Sequence, residues 1–483
     1  MIPCRQLRLE VLVPDPSTEY FVIERDEIGG QQVIAPRYIQ LPNDEVGINT
    51  FDLPAGEYKW GFYSDLSDVG VDLDRLTWND KCETPRTWGE VKAGDEVCAD
   101  IEPPDPICEN GYCWMDIISN STEITVDRGF DLNQSVVGRP ETGTLIADIA
   151  DPSLNALQAS GLGIGQRVRL RVVEGDYEEI IFQGVATAIS SYNNAIDTPM
   201  VYLEAVDALA QLNGVLIDQG RPQETYEERI RYAASQIPGL PITVTEGTQT
   251  LNEMLEPLTA LEMIVQSQDS EGSVVWINKE NAMFSTNREW EDTIFGDTRM
   301  EIDSVPTYAF TNALTGENTT KVGEKQVCLS SFVQTSDTRQ VINGVTFYNY
   351  EIEERENSEG EITRTEIPKT YTFSDSASAR LYGSADIRLT TRLDPDTLAG
   401  YASYIFDQWS IPKTKIESIE WPADRFDSIF IPDTIELDIG DAVRIALKDP
   451  LIDDHLMVDQ VQRIARIKHE ITPNEWLIRT ELI

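Results

Sequence analysis

Residues 161–192 read GLGIGQRVRLRVVEGDYEEIIFQGVATAISSY, and this stretch sets the fold class. Val168, Leu170 and Val172 alternate with Arg167, Arg169 and Arg171. A period of two puts the apolar residues on one face of a strand and the arginines on the other. Glu174-Gly175-Asp176 turns the chain back, and the pattern continues beyond it, so the stretch predicts three strands. Glu174, Asp176, Glu178 and Glu179 lie on the neighbouring segments. Cross-strand ion pairs therefore account for the arginines better than a nucleic-acid stripe does.

Outward from this stretch the β grammar persists. Glu123–Val126 alternates until Arg128-Gly129 breaks the run, and GTLIADIADPSLNAL (143–157) is a strand entering a short connection. Met200–Val206 adds a strand and DALAQLNGVL (207–216) a short helix. Five or six strands before a helix predict a closed barrel or compact sandwich over 114–221. A Pro-rich linker at 102–113 separates it from residues 1–101. There Leu7–Val13, Tyr20–Ile23, Gln32–Ile34, Tyr38–Leu41 and the alternating run from Tyr58 read as strands. They predict a β-sandwich-like docking module.

Residues 222–290 form an α+β insert. Thr225 with Glu228, and Thr259 with Glu262, are two capping boxes. Tyr226, Ile230, Ala233 and Ile237 recur at helical spacing behind the first, until Pro238-Gly239. Leu261, Ile264 and Val265 follow the second, with Gln268 as a polar edge. SVVWIN and AMFSTN then make a hairpin across Lys279-Glu280-Asn281. Residues 291–390 are polar and β-rich, with a hairpin tip within 354–367. Over 391–483 a helix capped by Asp394 carries the stripe Leu398, Tyr401, Ala402, Ile405 and Trp409. A hairpin over 434–447 pivots on Gly440-Asp441, and in the closing strand Trp476, Ile478, Thr480 and Leu482 share a face, which predicts a second barrel. The expected fold class is mainly β with α+β inserts: barrel or sandwich units plus the N-terminal sandwich.

The 483 residues include 84 acidic and 38 basic side chains, a net charge of −46. Only eleven of the bases are lysines, and none lies between Lys92 and Lys279. Dense carboxylates with few lysines keep a surface hydrated in strong brine, where salt screens their repulsion. The same charge excludes tight binding of free nucleic acid, which needs basic clusters. A hydrophobic fraction of 41% is enough for several cores. No apolar run approaches the roughly 18 residues of a membrane span, and the N-terminal residues lack a signal-peptide pattern.

Few residues suggest chemistry. The two histidines, His455 and His469, neighbour no nucleophile motif and read as solvent-facing or packing imidazoles. Asp65, Asp68, Asp72 and Asp74 are an acidic stretch able to supply oxygens to a structural calcium ion, although their spacing departs from the known calcium loop. Cys82, Cys98, Cys108 and Cys113 surround the linker as buried thiols, a disulfide or a metal site. No catalytic residue and no other cofactor is expected.

Four stretches in order resemble the tail hub (baseplate hub, or minor tail) proteins of long-tailed viruses of bacteria and archaea. They are GQRVRL with IIFQGVATAIS (165–190), LTALEMIVQSQDSEGSVVWINKENAMFSTN (258–287), LDPDTLAGYASYIFDQWSIPKTKIESIEW (393–421), and LDIGDAVRIAL followed by VQRIARIKHEITPNEWLIRTELI (437–483). The resemblance spans roughly 114–483 and leaves out the N-terminal residues. It implies a non-enzymatic homotrimeric ring in the virion tail tip, assembled in the host cytoplasm. Such a ring meets distal tail or tail tube proteins and the tape-measure protein on one side and tail fibre or tip proteins on the other. It stays closed until DNA passes, without binding DNA specifically and without a membrane span. Combined with the brine signature, it points to a virus of a halophilic archaeon. The competing readings are a surface adhesin and a glycoside hydrolase with an accessory module. Both require export. Trp60, Trp78, Trp88 and Trp276 sit in strand contexts that favour packing over sugar stacking.

Overall fold

The computed structural model describes residues 6–14, 20–25, 37–40, 58–63, 108–109, 112–116, 121–131, 138–150, 163–174, 177–192, 200–287, 308–312, 324–335, 341–356, 362–423, 432–448, 456–472 and 476–483. They are mainly β, as expected. Contacts divide the chain into two units. The first takes Met1–Thr125, Leu145–Val206 and Ile471–Glu475; the second takes Val126–Thr144, Asp207–Glu470 and Trp476–Ile483.

The first unit uses β1 (Gln6–Pro14), β2 (Tyr20–Arg25), β3 (Arg37–Gln40), β4 (Tyr58–Tyr63), β5 (Cys108–Glu109), β6 (Tyr112–Asp116), β9 (Arg167–Glu174), β10 (Tyr177–Tyr192) and β11 (Met200–Val206). It also holds the first part of β7 (Ser121–Asp131) and the last part of β8 (Arg139–Ala150). Its main sheet runs β8-β11-β10-β9-β1-β6-β5, and β3-β2-β4 form a separate small sheet. The boundary expected at 101 does not hold for β1. That strand pairs antiparallel with β9, placing Leu7 opposite Val172, Leu9 opposite Leu170 and Val11 opposite Val168. The two sequences alternate in phase, so this register matches apolar positions along the ladder.

Among the described residues of 161–192 there are two strands, not three. β10 is a single strand of 16 residues, with irregular register between Ile180 and Phe182 and between Ala186 and Ala188. Each irregularity interrupts the sequence alternation while pairing continues. Val168, Leu170 and Val172 are buried as expected, and so are Arg169 and Arg171. Arg171 pairs with Glu178 across the β9–β10 ladder.

In the second unit, helices α1 (Ala208–Asn213), α2 (Tyr226–Ala234) and α3 (Ala260–Glu271) share a core with a small sheet. Its strands are β14 (Ile242–Val244), β17 (Val275–Ile277) and β18 (Met283–Ser285), in the order β14-β18-β17. Four two-residue strands stitch the connections: β12 (Leu216–Ile217), β13 (Glu224–Thr225), β15 (Thr250–Leu251) and β16 (Leu258–Thr259). Both capping boxes form. The first helix stops at Ala234, before the expected Ile237.

A second layer consists of β22 (Gly344–Glu356), β23 (Ile362–Ser374), β24 (Asp386–Thr391), α4 (Ser376–Tyr382) and α5 (Leu398–Trp409). The sheet order is β23-β22-β24. The expected boundary at 390/391 cuts through this layer. α5 packs Leu398, Tyr401, Ala402 and Ile405 on Val345, Phe347 and Leu389. Trp409 is only half-buried.

The remaining strands are β19 (Tyr308–Thr311), β20 (Lys325–Cys328), β21 (Ser331–Thr335), β25 (Lys415–Pro422), β26 (Ala442–Lys448), β27 (Leu456–Ile471) and β28 (Trp476–Leu482). They pair in the path β20-β19-β26-β27-β28-β25-β21. The two ends of this path adjoin in sequence. Leu329 N donates to Thr311 O of β19 (2.9 Å), and Ser330 N to Glu420 O of β25 (2.8 Å). Phe310 and Trp421, from opposite halves of the path, pack with ring centroids 4.7 Å apart. The strands thus form a curled sheet whose two ends are joined through the connection at Leu329 and Ser330.

Two local expectations fail. Residues 434–439 are not a hairpin arm: a 3-10 turn over Pro432–Glu436 replaces it, with Leu437 and Ile439 buried before β26. Nor does Gly129 end β7. At φ +149° it stays in the strand, where a Cβ would lie 2.5 Å from Ala465 O. Glycine marks a close backbone approach here, not a break.

Candidate functional site

The last turn of α3 is the least expected feature. Ser267, Gln268, Asp269, Ser270 and Glu271 are all buried, so Gln268 is a core residue and not a polar edge. Each of these side chains makes at least one hydrogen bond there, Ser267 to Met263 O. Gln268 donates to Gly138 O. Asp269 accepts from Thr390 N of β24 (3.0 Å) and faces two Arg139 nitrogens at 2.9 and 3.0 Å. Ser270 Oγ accepts Arg392 N (3.0 Å), and Glu271 accepts the amides of Thr248 and Gln249 (both 2.9 Å). The helix end therefore satisfies the amide of Thr390 on the open edge of β24 and that of Arg392 just past it. Burial pushes the Asp269 carboxyl up to about 6 against the opposing pull of Arg139.

Arg392, just past β24, is the second anchor. It pairs with Glu366 of β23 at 2.8 and 3.2 Å, both side chains being almost fully buried. Its Nε donates to Gln266 Oε1 (2.8 Å), its Nη1 to Glu253 O (3.1 Å), and its plane covers Tyr350. Arg229 likewise binds Glu224 (2.8 Å) and the carbonyls of Pro222 and Asn252. The Arg392 bonds lock the helical insert to the β22–β24 layer, and the Arg229 bonds hold segments of the insert to one another. They orient and hold; Ser270 is committed to Gln266 O and Arg392 N.

The sequence-derived candidates fare differently. Asp65, Asp68, Asp72, Asp74, Cys82, Cys98 and His455 lie outside the described residues. The β5–β6 register sets Cys108 opposite Cys113. Among the described residues no three His, Cys, Asp or Glu side chains gather as a metal site. His469 is buried, accepts Trp476 Nε1 (3.3 Å), and burial holds its pKa down to about 3, so it is a neutral packing imidazole. The missed residues, 267–271, carried one signal: a polar run, SQDSE, continues an otherwise amphipathic helix up to Gly272.

The outer surface of the insert is acidic. Glu228, Glu246, Glu256, Glu262 and Glu280 are exposed there, against Arg231. Among the described residues no helix is long and apolar enough to cross a membrane.

No family model and no curated protein matches the chain. The solved structures similar to the chain include three tail proteins. A tail protein from Neisseria meningitidis MC58 is 11% identical, with a TM-score of 0.48, covering 77% of this chain and 94% of its own. The 43 kDa tail protein of prophage MuSo2 from Shewanella oneidensis is 12% identical, with a TM-score of 0.44 and coverages of 77% and 94%. Prophage tail protein gp18 from Listeria monocytogenes EGD-e is 13% identical, with a TM-score of 0.40 and coverages of 76% and 90%.

Proposed function

We propose that this chain is a structural protein of a viral tail: the hub that ends the tail tube, joins it to the host-recognition apparatus and opens for genome passage. One observation carries the reading. The four stretches that resemble tail hub proteins carry, in order and among the described residues, β9 and β10; α3 with the β17–β18 hairpin; α5 leading to β25; and β26 to β28. The last piece contributes three of the strands of the closing path.

In this reading three copies form a ring in the virion tail tip. Each brings two β-rich units, so the ring presents six, which matches a three-fold hub to a six-fold tube. Its neighbours are distal tail or tube proteins, the tape-measure protein and fibre or tip proteins. An acidic lining lets DNA slide without adhering, and the acid-rich, lysine-poor surface suits a host living in brine. The chain performs no bond chemistry. Imaging of tail tips with this chain labelled tests the role: three copies on the tail axis are expected. Six copies, or a position on a peripheral fibre, would overturn it.

A further inference from the structure

The β22–β23 ladder pairs 13 residues of each strand, from Gly344 opposite Ser374 to Glu356 opposite Ile362. β24 accompanies it only along Gly344–Asn349. Beyond that point the ladder continues as a two-stranded arm. Glu354, Arg355, Glu356, Ile362, Thr363, Arg364 and Thr365 are all exposed on it. A two-stranded ribbon is marginal in water, and its open edges invite another surface.

The two ends of the ladder differ in chemistry. The tip carries Ile362, 63% exposed, with Glu353, Glu354 and Glu356 beside it. Arg355 and Arg364 are the bases there, the first paired with Glu353 and the second with Glu253 and Glu354. The opposite end, the foot of the ladder, is apolar and richer in cations. Ser378 Oγ donates to Ser410 O (2.6 Å) and Asn343 Nδ2 to Gly383 O (2.7 Å), which draws α4 and the end of α5 together. This end exposes Leu381 (75%), Tyr382 (36%) and Ile411 (64%). Arg380, Arg388 and Lys413 are exposed there too, against Asp386 and Asp407. Four of the eight large hydrophobic side chains exposed among the described residues thus lie at these two ends.

A ladder of this length, at about 3.3 Å per residue, separates its ends by about 40 Å. One copy cannot bring its own tip to its own foot. We propose that the tip of the β22–β23 arm docks, head to tail, on the foot of the ladder in a second copy of this chain, where α4 and Ile411 lie. Ile362 enters the patch of Leu381, Tyr382 and Ile411, and the tip carboxylates face Arg380, Arg388 and Lys413. A contact between two different surfaces of the same chain closes into a ring when its rotation closes. The proposal deepens the hub reading and rests on it for the number of copies.

Sedimentation of the full chain at fixed ionic strength tests it. Glu354→Lys with Glu356→Lys at the tip should weaken self-association at least tenfold, as should Arg380→Glu with Arg388→Glu at the foot. Combining the two pairs should restore it, which a misfolded variant could not do. Unchanged association in both single-end variants, with wild-type trimers intact, would overturn the arm assignment and leave the hub reading standing. Variant-sensitive association into open chains instead of trimers would uphold the arm and overturn the hub.

Discussion

Asp207 accepts the Gly143 amide through Oδ2 at 2.7 Å, while its Oδ1 caps α1 at Leu209 N (2.9 Å). A single fully buried carboxyl thus ties β8 to α1. A Cβ at position 143 would lie 2.6 Å from Oδ2, so only glycine permits this approach. Burial pushes Asp207 up to about 7, against the opposing pull of both amides and the Arg128 charge.

The pH dependence follows. A carboxyl raised on folding contributes its full stability below its unfolded pKa, near 3.8, and loses it as pH rises through the folded value. Asp207 therefore makes the fold weaken between about pH 4 and 7, and Asp269 does so up to about 6. His469 acts in the opposite sense. Its folded pKa is depressed, so its contribution is complete above 6.5 and is lost as pH falls towards 3. Above pH 6.5 His469 no longer opposes the Asp207 effect. Asp207→Asn should lower the thermal midpoint and flatten its pH dependence between 6 and 8. Calorimetry at fixed salt checks this, and an unchanged slope would refute the assignment.

Arg392 and Glu366 should behave as a buried pair. Arg392→Met alone leaves a buried carboxylate without its partner, at a cost of about 3–5 kcal/mol. Arg392→Met with Glu366→Met should recover much of that loss. Denaturant titration of the two single variants and the double variant measures the coupling.

Gly129→Ala should destabilise by about 3 kcal/mol, because the added methyl meets the β27 backbone and the backbone angle suits glycine. Urea unfolding reads the loss. A neutral result would mean that β7 and β27 separate at that point.

Salt should stabilise the fold steeply. With a net charge of −46, repulsion is strong in dilute buffer and is screened to a Debye length of about 3 Å at 1 M. Unfolding midpoints measured from 0.1 to 3 M KCl should rise throughout. A flat curve would exclude adaptation to brine.

Purified protein should release neither sugars nor peptides from host envelope polymers. Dose-dependent release would replace the structural role with an enzymatic one.

Local signals in the sequence determined local structure. Thr225 with Glu228 and Thr259 with Glu262 start helices wherever they sit, because a capping box closes within four residues. The alternation of Val168, Leu170 and Val172, and of Trp476, Ile478, Thr480 and Leu482, set which faces are buried. Only the tertiary structure decided what covers them. That β1 belongs beside β9, that α5 rests on β22–β24 and that β19 pairs with β26 are long-range contacts, and no periodicity specifies a partner. The burial of Gln268, Asp269, Ser270 and Glu271 was hidden for the same reason. A polar side chain goes inside only where another segment supplies its hydrogen bonds, and here Gly138, Arg139, Thr248, Gln249, Thr390 and Arg392 supply them from distant parts of the chain.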